Sequence, residues 1–526
     1  EVMAIVAKVS LVSGFTIFSR ILGLLRDVLF FAFFGSSVAG SAFLLAFTLP
    51  NLFRRMLGEG TLTSAFIPIF SETVEGKSRR EGFRLLNKVL SWLSLALVGI
   101  VLLGICVSLV LQSLALENSP KWLLGIELCS WTLPYVIVIC LSALVVGALN
   151  VRGSFSPGAA SPIVLNLSMI LALLICGTGT GLQGESLAFA LCLAVLIGGI
   201  LQLLLPVLCL RRLEGWVPNL DFGRSEELHR VKALFAVGAL GAAVGQVNVL
   251  VSRFLGYSLD DEGAVSMLYL SSRLTELPLG VFAIAISTVV FPEMAKLRAK
   301  KDEPGFSEVF AKGLRLTLAV TIPAAAGLAF LATPILSALF QWGRFGTEEV
   351  SDTVPVLAIA CAGLPFYAVA AYYVRAFHAC KDMSVPLKAA LLSLIMNLLL
   401  SLVFMQFWNV FGLAAANCIS AVIQTGFLHL AWKKTHGLSR DGLNAPVFLF
   451  PVIVSTIGMS IIVLFARSGI ARLEMFSEKE LALIEIFSII PFAVLIYLLC
   501  LIVFSFPEAK AGASRLMERL SSIRSR

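Results

Sequence analysis

Apolar segments long enough to cross a lipid bilayer recur along this whole sequence, and they limit its fold more than any other feature. A helix needs about 20 apolar residues to cross a hydrocarbon core of about 30 Å. Composition points the same way, because 58% of the 526 residues are hydrophobic and 14% are charged. A typical soluble domain has about 25% charged residues. The sequence therefore predicts an all-α polytopic membrane protein.

The apolar runs between polar or turn-forming breaks predict about fourteen transmembrane helices. The first run extends past signal-peptide length, so we expect no cleavable signal peptide. The approximate limits of the predicted spans are 4–34, 38–71, 85–115, 123–151, 158–178, 185–211, 230–257, 263–298, 306–332, 349–378, 383–409, 411–436, 445–468 and 481–505.

Charge alternates between the connecting loops. Loops after even-numbered spans are rich in lysine and arginine, whereas those after odd-numbered spans are short and poor in both. By the positive-inside rule, both termini are predicted to be cytoplasmic. These loops explain the net charge of +8, so no nucleic acid partner is expected. The tail is predicted to form a basic amphipathic helix on the inner leaflet.

The chain also repeats itself at an offset of about 220 to 235 residues. SRILG at 19–23 recurs as SRFLG at 252–256, and Asn166 corresponds to Asn397. An even number of spans per repeat gives both halves the same orientation, which is a common transporter plan with the substrate path between the halves. The predicted organisation is two pseudo-symmetric six-helix lobes (1–213 and 230–437), a cytoplasmic linker (214–229), two further helices (438–507) and the tail (508–526).

Charged side chains concentrate in spans 1, 2, 7 and 8, the leading pair of each half. An arginine near the bilayer centre costs about 2.5 to 3.5 kcal/mol even on a lenient scale, so we expect a water-filled cavity around these groups. The arginines outnumber the acids, and guanidinium groups suit bidentate capture of phosphate or diphosphate oxygens. The set is Arg20, Arg26, Asp27, Arg54, Arg55, Glu59, Arg253, Arg273 and Glu276.

Two structural alternatives stay open for these charges. Arg55 and Glu59 are four residues apart, and Arg273 and Glu276 are three apart, so each pair could close within one helix. An arginine near the end of its span could instead reach a headgroup region. Neither alternative accounts for all of the arginines, because Asp27 can balance only one of those that remain.

No metal site and no cofactor is predicted. The four histidines are scattered without ligand spacing, and the 10 cysteines lie in or beside apolar spans without a CxxC pair, as small buried hydrophobic residues do. The connecting loops are too short for the catalytic carboxylates of a polyprenyl-phosphate glycosyltransferase. The chain is therefore not expected to be an enzyme.

Five segments of the sequence are distinctive: SRILGLLRD, AFTLPNLFRRMLGEGTLTSAFIPIFSE, LNVRGSFSPGAASPIVLNLSMI, RLTELPLGVFAIAISTVVFP and LFQWGRF. Together they resemble the MurJ (MviN) family of lipid II flippases, in the multidrug/oligosaccharidyl-lipid/polysaccharide exporter superfamily. The resemblance covers nearly the whole chain. It implies fourteen helices, a central cationic cavity and a groove on helices 13 and 14 for an undecaprenyl tail.

The same resemblance implies transport of lipid II, an undecaprenyl-diphosphate-linked disaccharide-pentapeptide, from the inner to the outer leaflet of the bacterial inner membrane for peptidoglycan synthesis. Other cell-wall synthesis proteins are expected partners beside lipid II and the membrane. The implied substrate-binding residues are Arg20, Arg26, Arg54, Arg55 and Arg273, with Asp27, Asn51, Glu59 and Glu276 in support.

Two positions depart from the family pattern. Ser41 stands where relatives often have aspartate, and Arg253 stands where some relatives have an acid of a proposed sodium site. Because a guanidinium group repels a cation, we expect transport that does not need sodium.

Other functions stay open at this stage. A flippase for another polyprenyl-diphosphate glycolipid or for a phospholipid would also need cavity arginines, because these report an anion and not a sugar. A multidrug exporter of the same superfamily would need an apolar, aromatic cavity with a lone acid for cations. A purely structural scaffold does not justify the cost of the intramembrane arginines.

Overall fold

The computed structural model describes residues 2–56, 62–115, 119–436, 445–470, 472, 476–512 and 514, and the regular secondary structure in these parts is all helical. This confirms the predicted all-α fold. Within the same residues, nine helical segments are long and apolar enough to cross a membrane. Some predicted spans fall outside this set because they are broken into shorter helices or carry charges, so the helices are consistent with about fourteen spans.

Among the described residues, π-helical turns continue three α-helices: π1 (residues 54–56) follows α2, π2 (Leu173–Gly179) follows α7, and π3 (Leu279–Ala283) follows α10. The α-helices in chain order are α1 (Val2–Phe34), α2 (Val38–Phe53), α3 (Leu62–Gly76), α4 (Arg79–Ala115), α5 (Pro120–Thr132), α6 (Tyr135–Val151), α7 (Ser156–Ala172), α8 (Gly184–Glu214), α9 (Glu226–Ser258), α10 (Ala264–Pro278), α11 (Ile284–Ala299), α12 (Glu303–Phe330), α13 (Ala332–Phe340), α14 (Thr347–Ala379), α15 (Ser384–His436), α16 (Ala445–Ile470) and α17 (Glu478–Val503).

Several predicted spans consist of two helices joined at a break. Span 2 comprises α2, π1 and α3, and span 8 comprises α10, π3 and α11. Span 4 comprises α5 and α6, which meet at Leu133 and Pro134. Predicted spans 11 and 12 form the long segment α15, where Asn409 has a φ of 47° and separates two helices.

Helix α13 is a difference from the sequence prediction, which had a loop between spans 9 and 10. Ala332, Leu336 and Phe340 recur every fourth residue and are all buried, so they form one apolar face. Leu331 has non-helical backbone angles and separates α13 from α12. The helix is nine residues long and contains Pro334, which made its apolar period hard to detect.

The chain divides into two compact units. The first comprises Glu1–Ser266 and Trp342–Gly346, and the second comprises Met267–Gln341 and Thr347–Arg526. In the first unit, α1 packs against α7, and α9 packs against α2 and α3. In the second unit, α14 packs against α12 and α15, and α16 packs against α17.

Within the second unit, the last helices are attached to α12. The buried Tyr497 hydroxyl of α17 donates to the carbonyl of Ala319 on α12 at 2.5 Å. Beyond α17, Glu508 pairs with Arg315 of α12 at 2.7 Å. These polar contacts fix the position of α17 along α12.

The segment that follows α8 lies along α4 in the first unit. Trp216 is 4% exposed, and its Nε1 donates to Asn87 Oδ1 at 2.9 Å. The backbone amide of Asp221 donates to Ser91 Oγ at 2.8 Å. Because Asn87 and Ser91 are four residues apart, they lie on one face of α4. The predicted linker is therefore packed against a helix over part of its length.

Two ion pairs join the end of α3 to the start of α9. Arg230 contacts Glu72 at 2.9 Å, and Lys77 Nζ contacts Glu227 Oε1 at 2.5 Å. The hydrogen bond from Lys77 lowers the pKa of Glu227 to about 2. The same hydrogen bond raises the pKa of Lys77 above its usual value.

A short segment between α13 and α14 covers the end of α1 in the first unit; we call it the 342–346 segment. The amide of Arg344 donates to the carbonyl of Ala32 at 2.8 Å. Phe345 is 1% exposed, and its ring meets that of Phe31 edge-on at a centroid distance of 5.5 Å. This segment therefore seals apolar surface at the end of α1.

Two glycines allow this close approach. Gly35 and Gly343 both have a φ of 58°, a left-handed conformation that glycine adopts without a steric cost. A Cβ on Gly343 would lie 2.3 Å from the Ala32 carbonyl oxygen, and one on Gly35 would lie 2.7 Å from the Arg344 carbonyl oxygen. Any other residue at either position would push the two segments apart.

The predicted tail lies mostly outside the described residues. Residues 507–512 are helical, whereas Leu516, Leu520 and Ile523 of the predicted amphipathic face are outside the described part. Glu59 of the candidate site is outside it as well.

Candidate functional site

Arg26 on α1 is held between a carboxylate and an amide. Its Nε and Nη2 donate to Asp27 Oδ1 at 3.0 and 2.6 Å, and its Nη1 donates to Asn166 Oδ1 at 3.0 Å. The side chains of Arg26 and Asp27 are 12% and 3% exposed. Two different partners therefore fix the plane of this guanidinium group.

Asn166 on α7 makes a second contact with α1. Its Nδ2 donates to the carbonyl of Ser19 at 3.1 Å, and the residue is buried. Ser19 and Arg26 are seven residues apart, close to two helical turns, and so lie on one face of α1. A long side chain on a helix extends back toward the N-terminus, so the Arg26 side chain extends toward the level of Ser19.

Arg20 lies on a different face of α1 from Arg26. Six residues at about 100° each place the two side chains roughly 120° apart around the helix axis. Arg20 is exposed, whereas Arg26 is partly buried. The two arginines of span 1 therefore have different surroundings, although both are candidate binding residues.

Arg54 and Arg55 lie in π1, directly after α2 ends at Phe53. Pro50 lies inside α2, and a proline inside a helix interrupts its hydrogen bonds and bends it. Arg54 Nε donates to Asn51 Oδ1 at 2.9 Å, so these two candidate site residues are in contact. π-helical turns inside transmembrane helices are frequent at functional sites.

Arg273 lies on α10 in the second unit. Its Nη1 is 3.9 Å from Glu276 Oε2, and the two side chains are 35% and 45% exposed. At this distance and exposure the pair contributes little stability. The structural alternative of an ion pair within one helix is therefore realised only weakly at Arg273.

Six of the predicted site residues form three pairs in contact. Arg26 and Asp27 form one on α1, with Asn166. Asn51 and Arg54 form another at the end of α2, and the Arg273–Glu276 pair on α10 forms the last.

Ser41 and Arg253, the two positions singled out in the sequence, both donate to backbone carbonyls near the start of α10. Ser41 is fully buried, and its Oγ donates to the carbonyl of Glu262 at 2.5 Å. Arg253 is 6% exposed, and its Nη1 donates to the carbonyl of Val265 at 2.9 Å. A hydroxyl can donate to a carbonyl, whereas an ionised carboxylate can only accept. Serine therefore suits this contact better than aspartate would.

An apolar cavity of about 440 Å³ lies between α16 and α17 in the second unit. Beside it, Arg467 of α16 pairs with the buried Glu485 of α17 at 3.1 Å. The cavity is lined by Ala466, Gly469, Ile470, Ser488, Ile489 and Phe492. This lining suits a hydrocarbon chain and offers almost no polar contact.

Two features of the site were missed in the sequence. Asn166 was noted only as a member of the repeat, although it contacts a predicted site residue. The dipeptide Leu49–Pro50 before π1 recurs as Leu277–Pro278 before π3, so spans 2 and 8 share a proline followed by a π-helical break. The repeat offset would have revealed this match.

Comparison with solved structures first defines a class, that of helical membrane transporters. A structure described as an inward-facing multidrug resistance MATE family transporter of the MOP superfamily matches with a TM-score of 0.64. It is 13% identical, with 79% of this chain and 96% of that chain covered, so it shows the fold alone. A structure described as lipid II flippase MurJ in an inward closed conformation matches with a TM-score of 0.76 and 27% identity, covering 94% of this chain and 98% of that chain.

Sequence comparison then gives the family. Residues 30–484 match the family described as lipid II flippase MurJ. The probable lipid II flippase MurJ of Buchnera aphidicola subsp. Acyrthosiphon pisum is 32% identical, with 86% of this chain and 88% of the relative covered. That of Bdellovibrio bacteriovorus is 30% identical, with 91% and 93% covered. The chain belongs to the lipid II flippase MurJ family, as its sequence motifs predicted, and is a multi-pass inner-membrane protein.

Proposed function

We propose that this chain moves lipid II from the cytoplasmic to the outer leaflet of the inner membrane by alternating access. The match to the MurJ family over residues 30–484 carries this proposal. The substrate is an undecaprenyl-diphosphate-linked disaccharide-pentapeptide, which crosses the membrane intact. Because no covalent bond is made or broken, the protein acts as a transporter and not as an enzyme.

The arginines of spans 1, 2 and 8 bind the diphosphate in this proposal. Guanidinium groups offer planar, paired donors that match phosphate oxygens, and their cost in lipid favours a water-filled path. Arg26 and Arg54 are already oriented by hydrogen bonds from their guanidinium groups, so less side-chain entropy is lost when an anion binds. The proposed binding set is Arg20, Arg26, Arg54, Arg55 and Arg273, supported by Asp27, Asn51, Glu59 and Glu276.

The cavity between α16 and α17 holds part of the undecaprenyl tail. Its volume of about 440 Å³ and its apolar lining suit isoprene units, which bind apolar protein surface inside a bilayer through van der Waals packing. The proposal assigns 438–507 to tail binding, 1–213 and 230–437 to two lobes of six helices, and 214–229 and 508–526 to the cytoplasmic side. Reporter fusions at each terminus test the proposed cytoplasmic location of both ends.

A transport assay with purified protein tests the function. The full chain is reconstituted into vesicles with a lipid II analogue that carries a fluorophore on its peptide, and an impermeant quencher reports exposure at the outer surface. We expect exposure to rise with protein present and to stay at the protein-free rate with Arg54→Ala. Arg84→Ala is the matched control, because Arg84 pairs with Glu81 at an exposed position.

Three outcomes separate the proposal from its rivals. Equal transport of a phospholipid analogue without the diphosphate-sugar headgroup would indicate a general lipid flippase. Transport of an undecaprenyl-diphosphate glycolipid with a different sugar, and not of the lipid II analogue, would assign another glycolipid. Efflux of a cationic dye without lipid II transport would favour a multidrug exporter, the function of the MATE transporter that shares the fold.

A further inference from the structure

The side chain of Asn166 contacts α1 at two places, Ser19 and Arg26. Its amide nitrogen donates to the carbonyl of Ser19, and its amide oxygen accepts from Arg26. Ser19 precedes Arg20, so one buried side chain on α7 contacts the backbone beside one candidate arginine and the guanidinium group of another.

The chemistry of this position requires a carboxamide. The Ser19 carbonyl needs a donor, and the Arg26 guanidinium needs an acceptor. Asparagine offers both groups on one short side chain, and the two contacts together determine which way its amide points. Aspartate would lose the donor, and leucine, which has a similar size, would lose both groups.

The contact with Asn166 complements the pairing of Arg26 with Asp27. Nε and Nη2 of Arg26 both donate hydrogen bonds to Oδ1 of Asp27, while Nη1 donates to Oδ1 of Asn166. Without the amide, Nη1 would lose this neutral acceptor and the guanidinium plane could rotate about its bonds to Asp27. Asp27 compensates part of the charge of Arg26, whereas the neutral amide of Asn166 contributes orientation alone.

We propose that Asn166 is a positioning residue for the diphosphate, acting through Arg26 and through the register of α1 on α7. This inference rests on the proposed function, since it concerns how the same arginines receive their ligand. It assigns Asn166 no direct contact with the substrate.

The sequence repeat supplies a matched control. Asn397 is the corresponding residue in the second half and is fully buried. Its Oδ1 accepts from Ser401 Oγ at 3.3 Å within α15. Replacing Asn397 tests what the loss of a buried asparagine does by itself.

The experiment measures lipid II analogue binding and transport for purified full-length variants. Asn166→Leu and Asn166→Asp are expected to weaken the apparent affinity about tenfold, because a hydrogen bond to a charged group is worth about that factor. At saturating substrate we expect transport within about twofold of wild type, since the binding arginines remain. Asn166→Gln, which keeps the amide, is expected to recover part of the affinity, and Asn397→Leu is expected to leave the affinity unchanged.

Thermal unfolding of each variant separates positioning from packing. If Asn166→Leu fails to fold, the affinity of the nearly isosteric Asn166→Asp variant is used instead. An unchanged affinity in folded Asn166 variants, or an equal loss in Asn397→Leu, would overturn the positioning role while leaving the flippase function intact. Absence of binding and transport in the wild-type protein would instead contradict the proposed function itself.

Discussion

Asparagine side chains hold two of the candidate arginines. Arg26 donates to Asn166, and Arg54 donates to Asn51. An amide oxygen carries no net charge, so it orients a guanidinium group without neutralising it. At Arg26 the carboxylate of Asp27, 2.6 Å away, compensates part of the charge as well.

The two asparagines differ in how far the sequence could predict them. Asn51 lies three residues before Arg54, a spacing at which two helical side chains are neighbours. Asn166 lies on α7, and only packing of α7 against α1 brings it to Arg26. Charge counting considers ionised groups alone and could not detect an amide partner on another helix.

Arg54→Ala is expected to abolish transport while the protein still inserts and folds. Removing a partly buried charge from a membrane span relieves part of its desolvation cost. Arg54→Lys is expected to restore only part of the activity, because an ammonium group cannot form two parallel hydrogen bonds to phosphate oxygens. The measurements are vesicle transport and thermal unfolding of the ligand-free protein.

A structural role for Arg54 gives the opposite result in the unfolding experiment. If Arg54 is one half of a buried ion pair, alanine should lower the free energy of unfolding by about 3 to 5 kcal/mol. A large drop in melting temperature, cured by adding Glu59→Gln, would contradict the binding role.

At the scale of elements, the interrupted helices were partly predictable. A proline inside a helix interrupts its hydrogen bonds, and π1 follows Pro50 in span 2. Helix α13 was not predicted, because a helix of nine residues gives too few repeats of its apolar period. The packing of the 342–346 segment on α1 was not predictable either, because it depends on two glycines in distant parts of the chain.

Gly343→Ala is expected to destabilise the protein more than Gly181→Ala. Gly181 has a φ of 70° and open space around its Cβ position, whereas Gly343 has a φ of 58° and the Ala32 carbonyl oxygen at 2.3 Å. Alanine costs about 1 to 2 kcal/mol in backbone strain at each site. The steric clash should add about 1 to 3 kcal/mol at Gly343 alone. Equal melting temperatures for the two variants would show that the 342–346 segment can move away from Ala32 without loss of stability.

The ion pair between Lys77 and Glu227 predicts a pH dependence at the junction of α3 and α9. The pKa of Glu227 is lowered from 4.5 to about 2, so its stabilising contribution is complete above about pH 4.5 and is lost as the pH falls toward 2. The pKa of Lys77 is raised, so its contribution is complete below pH 10.5 and is lost as the pH rises through the raised value.

Thermal unfolding of Glu227→Gln across this pH range tests the ion pair. We expect a small decrease in melting temperature at pH 7, since exposed pairs contribute little, and no difference from wild type near pH 2. Glu226→Gln is the matched control and should show a smaller decrease at pH 7. A difference that persists unchanged at pH 2 would contradict the assignment to Glu227.

At the scale of the whole molecule, hydrophobic runs, the repeat and the family motifs predicted the helical fold before any coordinates. The repeat groups α9 with the second half of the sequence, whereas its packing against α2 and α3 places it in the first compact unit. A repeat records how a sequence arose, and packing depends on side chains from distant positions. Sequence alone therefore predicts the spans better than it predicts their neighbours.

Transport is expected to proceed equally well in sodium and in potassium. The guanidinium group of Arg253 is buried against the Val265 carbonyl, so its charge opposes a cation at this point. The measurement is the initial transport rate in vesicles with either salt, with Arg54→Ala as the background in both. A strict requirement for sodium would show that Arg253 does not exclude a cation.

The bond between Arg344 and Ala32 has a consequence for the order of synthesis. Its two residues are separated by more than half of the chain, and a ribosome adds only about 5 to 20 residues each second. The 342–346 segment therefore cannot cover the apolar end of α1 around Phe31 until every helix from α2 to α13 has been made. A chaperone or the insertion machinery has many seconds in which to shield that surface. A chain that stalls before residue 342 leaves the same surface exposed.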